Sequence, residues 1–404
     1  MRELIAGEGG SVLVFGSTCP DAVAFACEGL ASAVTVPSGL PVYPIDALPD
    51  EAPFDVVRLV ACERATRARV EAWAAARGIG AVDAIPEPFE SPNDSKIVAV
   101  SSTTTGSGKT ALTRRIARTL LAVGRDVAVA RHPIATLLHW NRFDVSVVRS
   151  PAEVRVPRPL DEHEELAPIV GTRAPVATGL DAERVLAAAA REGDVVVWDG
   201  GGAALPWVTP DVHVVAIDCL RDPGEIRDAD IYVLTKADSA GERARATESL
   251  VRARKPDAPV LLADLSVGVQ PTQVLGDKNV VIVEDWPSLI LGGLSAGAGA
   301  VAAKRFRCGV VDPRPFAVGA IAKALTEHAH IGAVIPSLGR TRDEIDDLAA
   351  SVRATPGEAI LWASNADPVM VIPEDPRPVV RAFGELTQVA GPPLQDLLLS
   401  RLDL

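Results

Sequence analysis

The chain has 404 residues, of which 48% are hydrophobic and 23% charged, a globular rather than a disordered composition. Its length allows two or three domains with separate cores. The formal net charge of −13 argues against nucleic-acid binding, which normally needs a basic stripe. No secretory signal is visible, and the uncharged stretch 286–303 contains Pro287 and several glycines. The sequence therefore predicts a cytoplasmic protein that binds neither membrane nor nucleic acid.

Short apolar runs alternate with helical patterns along the chain, which is typical of parallel α/β folding. Residues 1–90 contain strand-like "SVLVFG" and "FDVVRLVA", a helix near residues 21–30 and the helical "ERATRARVEAWAAARG". They predict a small Rossmann-like α/β domain. The proline-rich "PEPFESPNDS" is a plausible linker to the next domain.

Two further domains are predicted after this linker. Residues 96–270 begin with the strand "KIVAV" and continue through "DVAVARH", "DVVVWDGGG", "DVHVVAID", "DIYVLTKAD" and "PVLLADL". This number of strands after a strand-loop-helix opening indicates a doubly wound parallel sheet. Residues 271–404 carry the strands "NVVIVED", "CGVVD", "IGAVIP" and "EAILWAS" and the amphipathic helix "TRDEIDDLAASVRA", which predict a C-terminal α/β domain.

The segment "SSTTTGSGKT", residues 101–110, lies between a predicted strand and a predicted helix. Phosphate binding there needs backbone N–H groups at a helix N-terminus, a lysine for the β- and γ-phosphates and a hydroxyl for Mg²⁺. Lys109 and Thr110 supply the last two, while Thr103 replaces the usual first glycine. The predicted nucleotide-binding residues of this loop are Thr105, Gly106, Ser107, Gly108, Lys109 and Thr110.

A carboxylate follows another buried strand in "VVVWDGGG". Asp199 ends that strand, where it can hold Mg²⁺ directly or through water, and the backbone of Gly202 can reach a γ-phosphate. The predicted metal ligands are therefore Thr110 and Asp199, and Lys109 and Asp199 are the principal catalytic candidates.

The motif "TKAD" at residues 235–238 matches the [NT]KxD loop of guanine-specific NTPases. In that loop the aspartate, here Asp238, accepts hydrogen bonds from the guanine edge, and the stem of the lysine, here Lys236, packs along the base. Only seven of the forty basic residues are lysines, and Lys109 and Lys236 fall where the motifs need lysine. The three motifs in this order predict a P-loop NTPase domain that binds ATP or GTP with Mg²⁺.

Weaker candidates surround this domain. Arg131 and His132 end a strand and could meet a transferred group, although an exposed Arg-His pair is about as plausible. The acidic segment 161–168 contains Glu164 and is expected in a connection near the γ-phosphate. It is either a switch or substrate-binding loop or a solvent-exposed run of charge.

The third domain offers substrate candidates at predicted strand ends, where open α/β sheets bind ligands. Glu284 and Asp285 close a strand before a glycine-rich loop that includes Gly293. Such a loop can bind an anion or can simply allow close packing. Asp312 and Arg314 lie in the rigid "VDPRP" segment at another strand end.

Several of these phrases resemble the cyclic 2,3-diphosphoglycerate synthetase family and its GTPase-like P-loop homologues. They are "VEDWPSLILGGLSAGAGAVAAKRF", "VDPRPFAVGAI", "HIGAVIPSLGRT", "ARHP", "VVWDGGG" and "TKAD". The resemblance runs from about residue 96 to 339. It implies an NTP-dependent ring-closing or ligating enzyme that activates a small carboxylate or phosphate by phosphoryl transfer.

The chain departs from this family where substrate residues are expected. Residues 288–291 read "SLIL", without the family's histidine, and a family Gly-Thr-Pro-type turn reads "ASNADP". The resemblance therefore implies a divergent member with a different substrate. The alternatives are a regulatory or chaperone-like GTPase that switches a protein partner and a homologue that binds nucleotide without hydrolysis. A homodimer is left open.

Overall fold

The computed structural model describes residues 3–7, 22–27, 34–35, 40–60, 64–83, 88–104, 106–131, 145–154, 160–179, 182–200, 206–224, 226–272, 275–290, 292–339 and 341–404. These residues form two compact units. Unit 1 comprises described residues of Met1–Arg149, Thr172–Asp264 and Gln388–Leu404, and unit 2 those of Ser150–Gly171 and Leu265–Thr387.

The strands of the described residues are numbered in chain order. They are β1 (Glu3–Gly7), β2 (Ala22–Cys27), β3 (Val34–Thr35), β4 (Pro41–Pro44), β5 (Val56–Val60), β6 (Gly80–Asp83), β7 (Lys96–Ser102), β8 (Val127–Arg131), β9 (Ser146–Val148), β10 (Val176–Thr178), β11 (Val195–Asp199), β12 (Val212–Asp218), β13 (Ile231–Thr235), β14 (Val260–Gln270), β15 (Asn279–Glu284), β16 (Gly309–Val310), β17 (Ile335–Pro336), β18 (Ala359–Ala363) and β19 (Val379–Ala390).

The α-helices of the described residues are numbered in the same way. They are α1 (Arg64–Ala75), α2 (Lys109–Ala122), α3 (Pro151–Val154), α4 (Leu160–Val170), α5 (Ala182–Ala189), α6 (Ala237–Ala240), α7 (Glu242–Arg254), α8 (Trp286–Ile290), α9 (Ala298–Arg305), α10 (Gly319–Glu327), α11 (Arg342–Ala354) and α12 (Leu394–Leu402). Across the described ranges, no helix is long and apolar enough to cross a membrane.

The first sheet of unit 1 has the order β3-β4-β2-β1-β5-β6, parallel except where β3 meets β4. The helix predicted near residues 21–30 is wrong, because Ala22–Cys27 forms strand β2. Its six consecutive apolar residues suit a strand covered on both faces. The predicted strand "SVLVFG" lies outside the described residues. Ile5 and Val42 of this sheet share a core cluster with Ile97 and Trp198, so the first predicted domain packs onto the second within unit 1.

The second sheet of unit 1 carries the nucleotide motifs. Its order is β14-β13-β12-β7-β11-β8-β10-β9, and its neighbours are parallel except for β10 and β9. The chain leaves β7 toward β8 in one direction and later continues through β12, β13 and β14 in the other. Right-handed crossovers then place helices on both faces of the sheet. The predicted α/β fold with a doubly wound, mainly parallel sheet is confirmed.

The strands of unit 2 lie in the order β16-β15-β18-β19-β14, with β17 beside β15. Only residues 265–270 of β14 and 379–387 of β19 belong to this unit. The predicted helix "TRDEIDDLAASVRA" is confirmed as α11, whose N-terminal N–H of Glu344 donates to Thr341 Oγ1 at 3.1 Å. Helix α4 packs Leu160 into the same core as Trp362. The units thus cut across the predicted domain boundaries, since residues 150–171 join unit 2 and residues 388–404 join unit 1.

Candidate functional site

The predicted phosphate loop joins β7 to α2 at the carboxyl edge of the parallel sheet. Gly106 and Gly108 have φ angles of 84° and 86°, in the left-handed region that favours glycine. Gly108 is the N-cap of α2, so Lys109 and Thr110 lie in its first turn. Thr103 does not share this positive φ, and its N–H donates to the Ala216 carbonyl at 3.2 Å. The conformation at Thr103 therefore tolerates a side chain.

Hydrogen bonds hold the loop to itself and to a neighbouring strand. Ser107 Oγ donates to the Thr104 carbonyl at 2.6 Å and lies 2.9 Å from Thr104 Oγ1. Thr235 Oγ1, at the end of β13, donates to the Ser107 carbonyl at 2.8 Å. Thr235 is fully buried, so the loop is tied to the start of the "TKAD" motif. The remaining predicted loop residue, Thr105, lies outside the described residues.

Three buried charges meet beside this loop. Lys109 Nζ donates to Asp199 Oδ1 and to the Gly200 carbonyl, and Arg131 Nη1 lies 2.6 Å from Asp199 Oδ2. The parallel register pairs Asp199 with Arg131, which places both at the ends of adjacent strands. Lys109, Arg131 and Asp199 are 8%, 3% and 0% exposed. The structure thus brings together three predicted catalytic residues and shows that Arg131 is not an exposed residue.

Charge pairing controls the ionisation of this group. Burial by itself raises the pKa of the Asp199 carboxyl, but the charges of Arg131 and Lys109 and the hydrogen bonds to Lys109 and Thr113 outweigh it. The net pKa lies below its usual value, so Asp199 is a carboxylate at neutral pH. We call Lys109, Arg131 and Asp199 the charged triad.

The chemistry of the donor set fits Mg²⁺. A carboxylate at Asp199 and a hydroxyl at Thr110 are the hard oxygen ligands that this ion takes alongside water and phosphate oxygens. Thr110 is partly accessible in the first turn of α2. No group of three or more His, Cys, Asp or Glu side chains is placed to hold a metal within the ranges described above. A magnesium ion there would take its remaining ligands from water and phosphate oxygens.

The "TKAD" segment has a feature that the sequence did not indicate. Lys236 adopts a φ of 57°, and its Nζ lies 2.5 Å from Oδ2 of Asp218, which is 1% exposed at the end of β12. Asp238 is exposed in the short helix α6. The motif had singled out Lys236 and Asp238, but only the pairing of β12 with β13 shows that Asp218 lies beside Lys236. His132 and Gly202 lie outside the described residues.

The acidic segment in unit 2 is a helix and not a loop. Glu162, His163 and Glu164 of α4 are 6%, 2% and 3% exposed, so the expected solvent-exposed run of charge is wrong. Glu164 Oε1 accepts hydrogen bonds from Ser337 Oγ and Ser364 Oγ. Those serines directly follow β17 and β18, and sequence spacing gave no signal for this convergence.

The glycine-rich loop of unit 2 holds one of this chain's own carboxylates. Glu284 Oε1 accepts hydrogen bonds from the N–H groups of Gly297 and Ala300, each at 3.0 Å. A Cβ on Gly297 would lie 2.6 Å from Glu284 Oε2, which explains the glycine there. Anion binding and close packing were the two alternatives for this loop, and its N–H groups donate to Glu284 at the N-terminus of α9.

The other substrate candidates have separate contacts. Asp285 Oδ2 accepts from the Ser288 N–H at 3.1 Å and so caps α8. Gly293 has a φ of 60°. Arg314 Nη1 donates to Asp312 Oδ1 at 3.1 Å, and these two side chains are 38% and 52% exposed. None of these contacts identifies a substrate, and their predicted roles stay predictions.

Glu284 gives unit 2 a measurable pH dependence. Burial raises the pKa of its carboxyl from 4.5 to about 7, although the N–H groups of Ala300 and Gly297 oppose this. The folded protein therefore retains a proton that the unfolded chain loses, and stability falls as pH rises through this window. Between pH 4.5 and 7, the free energy of unfolding should fall by about 3 kcal/mol relative to Glu284→Gln. Denaturant titrations across this range measure the difference.

The exposed Glu374 provides the control for that prediction. Glu374→Gln should show the same pH dependence as the wild-type protein. If the free energies of unfolding of Glu284→Gln and the wild-type protein change equally with pH over the whole range, Glu284 does not change its protonation there.

The left-handed glycine loop, the buried lysine at the start of α2 and the carboxylate on a nearby strand define the class. These are the elements of a phosphate-binding loop of the P-loop type. Arginine synthetase ArcE of Thermococcus kodakarensis is a curated relative, 29% identical over 327 residues that cover 75% of this chain and 70% of that protein. No family model matches the chain.

Two solved structures are similar to part of the chain. The cell division protein FtsY of Thermotoga maritima is 20% identical, with a TM-score of 0.27 over 44% of this chain and 62% of its own. The MinC:MinD cell division complex of Aquifex aeolicus is 13% identical, with a TM-score of 0.20 over 54% of this chain and 79% of its own. Likeness at these TM-scores adds nothing to the argument about the site.

Proposed function

We propose that the protein is an NTP-dependent synthetase that activates a small acid by phosphoryl transfer at the charged triad. The observation that carries the proposal is the meeting of Lys109 and Asp199 beside a glycine loop whose left-handed geometry opens α2. The helix N-terminus and the lysine ammonium both attract phosphate oxygens. An exposed loop without the buried carboxylate would not support metal-assisted transfer.

Each residue of the site would have a separate role in phosphoryl transfer. The loop backbone from Gly106 to Gly108 would position the phosphates, and Lys109 would neutralise charge on the transferred group. Thr110 and Asp199 would hold Mg²⁺, which when bound supplies charge neutralisation and orients the phosphate oxygens. A substrate oxygen would attack the γ-phosphorus, the bond to the bridging oxygen would break, and its electron pair would leave with the nucleoside diphosphate.

The relative's name narrows the substrates to be tested. The sequence resemblance points to ring closure in 2,3-diphosphoglycerate, whereas the curated relative is named for the synthesis of arginine. Because the substrate candidates depart from the first family, we propose an amino-acid or related carboxylate substrate rather than the diphosphoglycerate. Phosphorylation of the substrate oxygen would create the leaving group for the joining step.

A turnover assay tests this proposal. Phosphate release is measured with ATP or GTP, Mg²⁺ and a panel of small acids that includes 2,3-diphosphoglycerate, with and without ammonium. The reverse direction is run with arginine, a nucleoside diphosphate and phosphate, and NTP formation is followed. Turnover that requires one acid, or NTP formation that requires arginine, supports the synthetase. Turnover that is indifferent to every small molecule contradicts it.

The second candidate is a regulatory GTPase that switches a protein partner. The bond from Thr235 to the Ser107 carbonyl favours it, because it ties the base-recognition motif to the phosphate loop. Asp238→Asn should then weaken GTP binding about tenfold and leave ATP binding unchanged, since an amide no longer accepts two guanine hydrogen bonds. Calorimetric titration with both nucleotides measures this effect.

The exposed Asp257 supplies a matched substitution, Asp257→Asn, which should change neither affinity. Equal losses of ATP and GTP affinity in Asp238→Asn would show that this residue does not recognise guanine.

A further inference from the structure

The amino group of Lys109 is bound to the protein's own oxygens. It donates to Asp199 Oδ1 and to the Gly200 carbonyl, and the lysine is 8% exposed. An ammonium group at this point of a phosphate loop has to reach the β- and γ-phosphates if nucleotide binds. Lys109 must therefore exchange protein oxygens for phosphate oxygens.

Asp199 is engaged on both sides. Arg131 Nη1 lies 2.6 Å from its Oδ2, while Oδ1 accepts from Lys109. Two buried cations share one buried carboxylate, so removing either cation strengthens the hold of the other in a low-dielectric environment. A divalent cation that binds Oδ1 would compete with Lys109 for that oxygen, whereas Arg131 remains beside Oδ2.

We propose that the Asp199 carboxylate binds the Lys109 ammonium group when no nucleotide is bound. Binding of a divalent cation at Asp199 then releases Lys109, which becomes able to bind the nucleotide phosphates. Arg131 is a positioning residue that keeps the carboxylate in place during this exchange. The inference rests on the proposed nucleotide site and adds to it an order of events. Metal binding and phosphate binding then reinforce each other through one lysine.

Amine labelling of the intact protein followed by mass spectrometry tests the release directly. Lys109 should react slowly in EDTA, about tenfold faster with Mg²⁺ alone, and slowly again with Mg²⁺ and ATP or GTP, because loss of one charge-assisted hydrogen bond is worth roughly that factor. Lys96, whose Nζ lies 2.9 Å from Asp211 in an exposed pair at the other end of β7, is an internal reference. Equal labelling of Lys109 in EDTA and in Mg²⁺ overturns the inference.

Variants of Asp199 and Arg131 distinguish the release of Lys109 from general effects of charge on its labelling rate. In Asp199→Asn, Lys109 should label rapidly in EDTA, and Mg²⁺ should no longer change its rate. In Arg131→Gln, Lys109 should label more slowly than in the wild type in EDTA, because it alone neutralises Asp199. Arg131→Lys retains the charge and should restore the wild-type rate, and thermal melting monitors the folding of each variant. An Arg131→Gln rate equal to that of the wild type contradicts the role given to Arg131.

Nucleotide titrations in EDTA keep the two proposals apart. Asp199→Asn should bind ATP or GTP about tenfold more tightly than the wild type in EDTA, since its lysine is already released. Failure of every protein to bind either nucleotide, with or without Mg²⁺, would refute the proposed function itself. Wild-type binding with no gain in Asp199→Asn would refute only the release of Lys109.

Discussion

Lys109→Ala should lower NTP turnover by about 10³-fold, the loss typical of removing one preorganised group that stabilises transition-state charge. Lys109 is the ammonium that the structure places at the start of α2 beside Asp199. Its removal also leaves Arg131 as the remaining cation of the charged triad, so the carboxylate keeps a partner and the fold is expected to survive. Steady-state phosphate release with saturating ATP or GTP measures the effect.

Lys96→Ala is the matched control because Lys96 begins the strand, β7, that leads to the phosphate loop. Its ion pair with Asp211 is 40% and 31% exposed, and such pairs contribute little to stability. Turnover in Lys96→Ala should stay close to the wild-type value. Comparable turnover in Lys109→Ala and the wild type would show that the charged triad does not take part in the reaction.

The second large effect is on stability and comes from Arg377 in unit 2. Its guanidinium donates to both oxygens of Asp375 at 2.8 Å and 2.7 Å and to the carbonyls of Val352 and Thr355, each at 2.8 Å. The Asp375 side chain is 1% exposed. Arg377→Met would leave this carboxylate and the carbonyls at the end of α11 without the guanidinium, at a cost of about 3–5 kcal/mol.

An arginine at the other end of α11 gives the comparison. Arg342 pairs with Asp346, and these side chains are 80% and 58% exposed. Arg342→Met should change the free energy of unfolding by less than about 0.5 kcal/mol. Denaturant titration of both variants measures the difference. Equal effects would mean that burial of the Arg377 pair contributes nothing to the stability of unit 2.

The sequence predicted the site best where one short segment contains every residue that the local geometry needs. Gly106, Gly108 and Lys109 lie in one short segment that connects a strand to a helix. The loop geometry therefore follows from the left-handed φ angles that glycine allows. The sequence predicted the environment of a residue poorly where its burial depends on segments far away in the chain. The acidic helix α4 was expected to be a solvated connection, yet Glu164 is buried against Ser337 and Ser364.

Local pattern also misjudged the strand β2, and it left the role of the glycine loop in unit 2 open. Alanine-rich "AVAFAC" can form either a helix or a strand, and its parallel neighbours β1 and β4 decide for the strand. A glycine-rich segment before a helix has the same sequence whether it binds a ligand or a side chain. Glu284 occupies the N–H groups of Gly297 and Ala300, which only the folded chain reveals.

Short sequence segments were sufficient to predict the α/β class, the phosphate loop and the order of the motifs on the strands, because these depend on backbone conformation and on periodicity within short segments. Which charges meet depends on how distant strands pair in the folded chain. Parallel register brings Arg131 beside Asp199, and the pairing of β12 with β13 brings Asp218 to Lys236. These residues are far apart in the chain, and their ionisation and contacts depend on burial that no short segment encodes.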